Sequence, residues 1–196
     1  MAINYKICPY CNSKDVAKIV YGYPSGDMIM QEAVGKIKLG GCIITGIDPE
    51  YFCNNCEREW DKEEAIEHAY EKIKEIKIFI GGYHQGFQEL HINLENGKAF
   101  YEFSLKAEDN LSITLSPELL EEFKKDLIET NILNWKRRYD NNDILDGTQW
   151  EIVLVRDGRN IIRSGSNDYP NAWKNFCKII SDVSGRALAR KNIIGR

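Results

Sequence analysis

No stretch of this sequence is apolar for anything near the roughly 20 residues that a membrane-crossing helix needs. The start, MAINYKICPYC, has neither the apolar core nor the cleavage site of a secretory signal. A cytoplasmic protein with no membrane partner is expected. Phosphate-cradling GxxxxGK[ST], the GxSxG elbow, HExxH and the dinucleotide GxGxxG are all missing, which removes the common signatures of nucleotide, ester, metalloprotease and hydride chemistry without excluding an enzyme built otherwise. Histidine is scarce, at three, and neither His84 nor His91 has metal-ligand spacing with a partner. His68 falls in a charged stretch and reads as a surface residue. There is no repeat and no low-complexity segment.

An excess of positive charge is missing too. The formal net charge is −4, distributed as about −1 over residues 1–60, about −5 over 61–115 and about +2 over 116–196. A broad electrostatic grip on nucleic acid needs a basic surface. Only two basic clusters stand out, Lys136-Arg137-Arg138 and the group Arg186, Arg190, Lys191 and Arg196 near the end. With 43% hydrophobic and 29% charged residues, the rest is ordinary for a globular chain of 196 residues, enough for one medium domain or two small ones.

Cysteine is what the sequence has in a pattern. Four of six form two CxxC pairs, CPYC at 8–11 and CNNC at 53–56, separated by 41 residues. In a reducing compartment such pairs serve as metal ligands or redox catalysts, and a redox CxxC usually occurs once, at a helix start after a strand. Two pairs point to a tetrahedral ion. Four thiolates, from Cys8, Cys11, Cys53 and Cys56, close the coordination sphere of zinc and leave no position for water or substrate, so the zinc cofactor is expected to be structural. Of the remaining two cysteines, Cys42 in LGGC reads as a small apolar side chain in a strand, with a reactive thiol as the alternative. Cys177 falls on the apolar face of a helix.

On CPYC and CNNC the chain resembles the zinc ribbons. The stretches KIVYGYPSGD, KIKLGGC and CNNCEREW are similar to a ribbon found in many bacterial proteins, over about the first 60 residues. In such ribbons the residue after each pair is often glycine, because the backbone there takes a positive φ. Asn12 and Glu57 stand in those places, and since Asn tolerates this conformation better than Glu, a less regular second turn is expected. Between the pairs, VAKIVYGYP and KIKLGGCIITG read as strands on either side of a polar stretch, SGDMIMQEAVGK.

Four segments are expected: a zinc ribbon over 1–60, a connecting helix over 61–75, an α+β domain over 76–184, and a basic tail over 185–196. The helix rests on Ala65, Ile66, Ala69, Tyr70 and Ile73 at helical spacing behind an acidic first turn. In the domain, FQELHINL and AFYEFSL alternate around ENGK as a hairpin, and a strand at 111–115 leads into a helix capped by Ser116 with Pro117 in its first turn. WEIVLVR and NIIRSGS pair across Asp157-Gly158, and a last helix begins near Pro170 with Trp173, Phe176, Cys177, Ile180 and Val183 as its stripe. The fold class is therefore α+β, an N-terminal zinc ribbon followed by an antiparallel sheet packed against two helices.

Chemistry beyond the cysteines is confined to Trp135–Tyr169. Pairing the second hairpin brings Asp146, Gly147, Thr148 and Gln149 near Ser164, Gly165, Ser166 and Asn167, with Trp135, Arg138 and Tyr139 flanking. Arg138, Tyr139, Asp146, Thr148, Gln149, Ser164, Ser166, Asn167 and Tyr169 are the candidate ligand contacts, and turn and capping needs alone would also select these residue types. DGTQW and SGSNDYP are similar to a recurring bacterial domain of unknown function over residues 76–184. Three readings stay open. The first is a zinc-stabilised binding or regulatory module for a protein or polar ligand; the second is nucleic-acid binding through the ribbon and the basic clusters. The third is an enzyme using Asp146, Ser166 and Asp168.

Overall fold

A computed structural model describes residues 3–82, 86–106, 108, 110–144 and 147–185. The chain divides into two units, Met1–Ala69 and Tyr70–Arg196. His84, Asp146 and the basic cluster from Arg186 onward lie outside the described residues.

The first unit is a four-stranded sheet. Strands β1 (Val16–Val20), β2 (Ile37–Leu39), β3 (Tyr51–Cys53) and β4 (Glu59–Trp60) lie in the order β2-β1-β3-β4. The polar stretch between β1 and β2 is not a loop. It forms helix α1 (Gly26–Ala33), with the Ser25 side chain accepting a hydrogen bond from the Met28 amide at 3.3 Å as its N-cap. A helix in the connection returns the chain in the same direction, which is why β1 and β2 pair in parallel, Lys18 opposite Ile37. Gly40, just past β2, lies against Tyr21, where an added Cβ would stand 2.3 Å from the ring. Cys42 follows in an exposed loop, its thiol 3.8 Å from the Gly22 carbonyl. It is neither in a strand nor in the core, contrary to expectation, because β2 stops at Leu39.

Helix α2 (Lys62–Glu71) starts at a capping box: the Glu64 amide donates to Asp61 Oδ1 at 2.8 Å, and the Asp61 amide to Glu64 Oε2 at 3.4 Å. It ends at Glu71, short of the expected 75, because Ile73 already belongs to the longest strand of the second unit.

That unit is a seven-stranded sheet. Strands β5 (Ile73–Gly82), β6 (Gly86–Asn93), β7 (Lys98–Phe103), β8 (Leu111–Thr114), β9 (Arg138–Asp140), β10 (Gln149–Arg156) and β11 (Ile161–Ser166) are ordered β8-β7-β6-β5-β10-β11-β9. Both expected hairpins form, β6–β7 with Gly97 at φ +69° and β10–β11 with Gly158 at φ +85°. The sheet is mixed, which corrects the antiparallel expectation. β9 pairs with β11 in parallel, Ser164 opposite Arg138. Three residues, RYD, carry no alternation to reveal a strand. They are delivered to this edge by Trp135, whose Nε1 donates to the Thr130 carbonyl at 2.8 Å.

Helices α3 (Pro117–Glu129) and α4 (Trp173–Ser184) bury Leu120, Phe123 and Leu127, and Trp173, Phe176, Cys177, Ile180 and Val183. Alternation along the strands makes one sheet face apolar and buried, with Ile76, Ile78, Ile80, Leu90, Ile92, Trp150, Ile152 and Leu154 on it. Trp150 is the hub of that side. Its ring lies 4.6 Å from Trp173, 5.9 Å from Tyr139 and 6.4 Å from Trp135. Arg163 is buried and, among the described residues, pairs with no carboxylate; it donates to the carbonyls of Ile132, Leu133 and Ile162 and so ties β11 to the turn after α3.

Gly165 sits opposite Trp150 in the β10–β11 ladder, and a Cβ there would stand 2.5 Å from the indole Nε1. Gly165→Ala must displace that ring and its 2.9 Å bond to the Asp168 carbonyl. A loss of about 1–3 kcal/mol in denaturant unfolding is expected, with no change in metal content.

Candidate metal centre

The two CxxC turns share one backbone geometry. In the first, the Asn12 amide donates to the Cys8 carbonyl at 3.0 Å and the Cys8 amide to the Ser13 carbonyl at 2.9 Å. In the second, the Glu57 amide donates to Cys53 at 2.9 Å and the Cys53 amide to Arg58 at 2.9 Å. Asn12 has φ +58° and Glu57 φ +59°. The second turn is therefore as regular as the first, which corrects the expectation drawn from Glu57. Glu accepts the left-handed conformation because the two bonds that close the turn, and the β3–β4 pairing it connects, leave the backbone no other path.

Strand pairing brings the turns together. Val16 lies opposite Cys53 in the β1–β3 ladder, so the chain leaving the first turn runs beside the chain entering the second. The four Sγ atoms lie within 4.8 Å of one another, with Cys8–Cys56 at 3.6 Å and Cys11–Cys53 at 3.5 Å. A tetrahedral ion with metal–sulfur bonds of about 2.3 Å sets its sulfurs about 3.7 Å apart. A disulfide would need about 2.05 Å. The cluster is thus spaced to hold a metal ion through four cysteines.

Its surroundings are aromatic on one side and polar on the other. Cys8 and Cys53 are fully buried with Trp60 and Ala65, and Tyr5, Tyr10, Val16 and Tyr51 pack against them. Tyr10, between the first two ligands, donates to Glu64 Oε1 at 2.7 Å, places its ring 4.7 Å from the Arg58 guanidinium and meets His68 edge-on at 4.9 Å. His68 is therefore part of this packing, not a bare surface residue. Desolvation pushes the Cys8 thiol up to about 12. Cys11 moves the other way, to about 6, chiefly through the Ser13 backbone hydrogen bond, and Asn55 Nδ2 adds a donor at 3.7 Å. Amide donors that favour the thiolate also favour metal binding.

The other candidate residues are divided by the pleat of the sheet. Gln149 is opposite Ser166 and Glu151 opposite Ser164, so the two strand ends do meet. Yet Tyr139, Thr148, Asn167 and Tyr169 fall on the Trp150 side. There the Thr148 amide donates to Asn167 Oδ1 at 2.8 Å, Asn167 Nδ2 to the Ile144 carbonyl at 3.2 Å, and the Tyr169 ring lies 5.0 Å from Trp173. Burial raises the Tyr169 phenol above its usual range. Arg138, Gln149, Ser164 and Ser166 lie on the opposite side, with Arg138 Nε 2.6 Å from Asp140. Of the nine candidates, the eight described ones are therefore split between two sides of the sheet. Comparison with protein-family models and with curated proteins finds no match for the chain. Function must therefore be argued from the sites. Among the described residues, no helix is long and apolar enough to cross a membrane.

Sequence reasoning missed Tyr10, Arg58 and Glu64 as the polar frame of the centre. Tyr10 inside CPYC and the D-x-x-E of the capping box were the available signals.

Glu57 in a left-handed conformation costs about 1–2 kcal/mol that glycine would not incur. Glu57→Gly should stabilise the metal-loaded protein by about 1 kcal/mol, read as a higher chelator concentration at half-loss of metal. Asn12→Gly should gain far less.

Proposed function

We propose that the first unit is a zinc ribbon whose ion is structural, and that the chain is a cytoplasmic binding or regulatory module with no chemistry of its own. The observation that carries this reading is the sulfur cluster: four cysteine sulfurs at tetrahedral spacing, leaving no position for water or substrate. Zinc is the ion that thiolate-only sites of this geometry commonly select. In the second unit, α3 and α4 cover the apolar sheet face, a packing supported by the Trp150–Trp173 contact and by the approach of α3 to α4. The polar residues suggested as catalytic groups include Ser166, near Asn167 Nδ2 at 3.5 Å, and Asp168, which accepts from the Tyr169 amide at 2.9 Å. Among the described residues, no hydrogen bond or ion pair joins either of them to a histidine or lysine.

A protein partner fits better than nucleic acid. Lys136, Arg137 and Arg138 are all exposed, but Arg138 is paired with Asp140 and Lys136 lies over the Tyr139 ring at 5.9 Å. The expected outcome of titrating single- and double-stranded DNA and RNA is weak binding with a shallow salt dependence. A steep decline of affinity with salt would instead favour phosphate contacts.

Metal analysis should give about one zinc per chain, and serine at any of Cys8, Cys11, Cys53 or Cys56 should weaken its retention. Chelation should collapse the amide resonances of residues 3–69 while those of the seven-stranded sheet persist. Zinc-free protein with an unchanged first unit would refute the structural role.

A further inference from the structure

The sheet of the second unit has a second face. Phe79 and Phe87 are each 38% exposed and Phe100 is 42% exposed, all with side chains on the side opposite Trp150. Phe79 and Phe87 stack at 5.1 Å. On β10 and β11, Val153 and Ile162 stand opposite each other on this same side, in a row that continues through Lys77 and His91 to Phe100. Three large aromatic rings grouped on one exposed sheet face are the kind of feature that marks an interaction site.

Carboxylates are set among these rings. The register places Glu151, Phe79, Glu89 and Glu102 in one row across β10, β5, β6 and β7. Glu89 and Glu102 are direct cross-strand partners, an arrangement of like charges that disfavours the free sheet. His91 Nε2 meets Glu89 at 2.8 Å, and its other nitrogen lies 3.5 Å from Glu75, which also holds Lys77 at 3.6 Å. Among the described residues, Glu102 and Glu151 have no basic side chain within ion-pair distance.

We propose that this open face docks a cationic amphipathic helix of a partner protein. The proposal rests on reading the chain as a binding module and names that module's partner class. Charge selects the occupant. A second copy laid face to face would bring carboxylate rows together, and nucleic acid or an anionic lipid surface would bring phosphates to them. Lysine and arginine do the reverse, pairing with Glu89, Glu102 and Glu151 and lying over the exposed rings.

Shape selects the helix. An extended peptide joins a sheet at its edge, where backbone donors and acceptors are free, whereas a face offers side chains alone. A helix has satisfied its own backbone and needs only an apolar stripe with flanking charges. Phe79 on β5 and Phe100 on β7 are two strand intervals apart across the sheet and two residues apart along it, about 12 Å in all, room for a helix of about 10 Å diameter with its side chains to lie between the two rings. Gln149, Ser164 and Ser166, at one end of the same face, supply a polar rim.

The test uses full-length, metal-loaded protein and a synthetic peptide of leucine and lysine alone, patterned at helical period. Its controls are the same peptide with glutamate for lysine and one of identical composition alternating at period two. Saturable binding of the first peptide only is expected, with amide shifts confined to β5, β6, β7 and β10. Glu89→Gln with Glu102→Gln should weaken it about tenfold, as should Phe79→Ser with Phe100→Ser, while Glu122→Lys with Asp126→Lys on α3 should change it less than about twofold. The Glu-to-Gln pair should melt no lower than the parent, since it removes a like-charge contact, so loss of binding there is not loss of fold. Equal binding by the period-two peptide, unchanged affinity in the Glu-to-Gln pair, or a dimer in sedimentation that protects this face would overturn the proposal. Retained zinc and an intact first unit in the same samples would confine that failure to the docking face.

Discussion

Four sulfur atoms have to stand within a few ångström of one another although the two pairs that carry them are 41 residues apart in the chain. Everything described in the first unit serves or depends on that meeting. Its buried apolar inventory is small, essentially Cys8, Ala17, Ile19, Cys53, Trp60 and Ala65, and two of the six are ligands. A core of this size does not hold a domain by hydrophobic burial alone. The intervening chain adds little: α1 buries no residue, and Tyr23, Ile29, Met30, Val34, Ile43, Ile44 and Ile47 are exposed. The four clustered cysteines tie the two turns together at a single point, beside the pairing of β1 with β3.

The second unit has a much larger apolar core. Its strands alternate strictly enough that one face of β5, β6 and β10 is aliphatic, and Trp150 stands where that face meets Trp135, Tyr139, Tyr169 and Trp173. The close fit explains details that look arbitrary in one dimension. Gly165 leaves room for an indole, and Arg163 donates to two carbonyls of the turn after α3, those of Ile132 and Leu133, and to the Ile162 carbonyl of its own strand. Charged and guanidinium groups are rarely buried without an acid, and here carbonyl oxygens take the acid's place.

The same pleat governs where function can sit. Polar residues clustered in sequence around 138–169 become two sets on opposite sides of the sheet, one engaged in internal bonds and rings, the other facing outward beside Phe79, Phe87 and Phe100. A strand turns a run of neighbours into alternating tenants of two surfaces. Proximity along the chain is then a poor guide to a shared pocket. Exposed rings and carboxylates from four different strands share one surface although they are scattered over some seventy residues of sequence.

The sequence by itself determined the four cysteines that cluster, both hairpins, the helix stripes of α3 and α4 and the capping of α3. Each is written in local spacing: CxxC, Asn-Gly and Asp-Gly, apolar residues three and four apart, Ser before Pro. Only the tertiary structure decided what depends on partners distant in the chain. It made α1 a crossover helix and so made β2 parallel to β1, and it drew the three residues of β9 onto β11 through Trp135. It held Glu57 in the same left-handed turn as Asn12, and it left one face of the sheet open. Local preferences are short-ranged energies of a few tenths to about one kcal/mol per residue, and they give way wherever a buried tryptophan, a ladder of strand hydrogen bonds or a cluster of four thiols sets the path of the backbone.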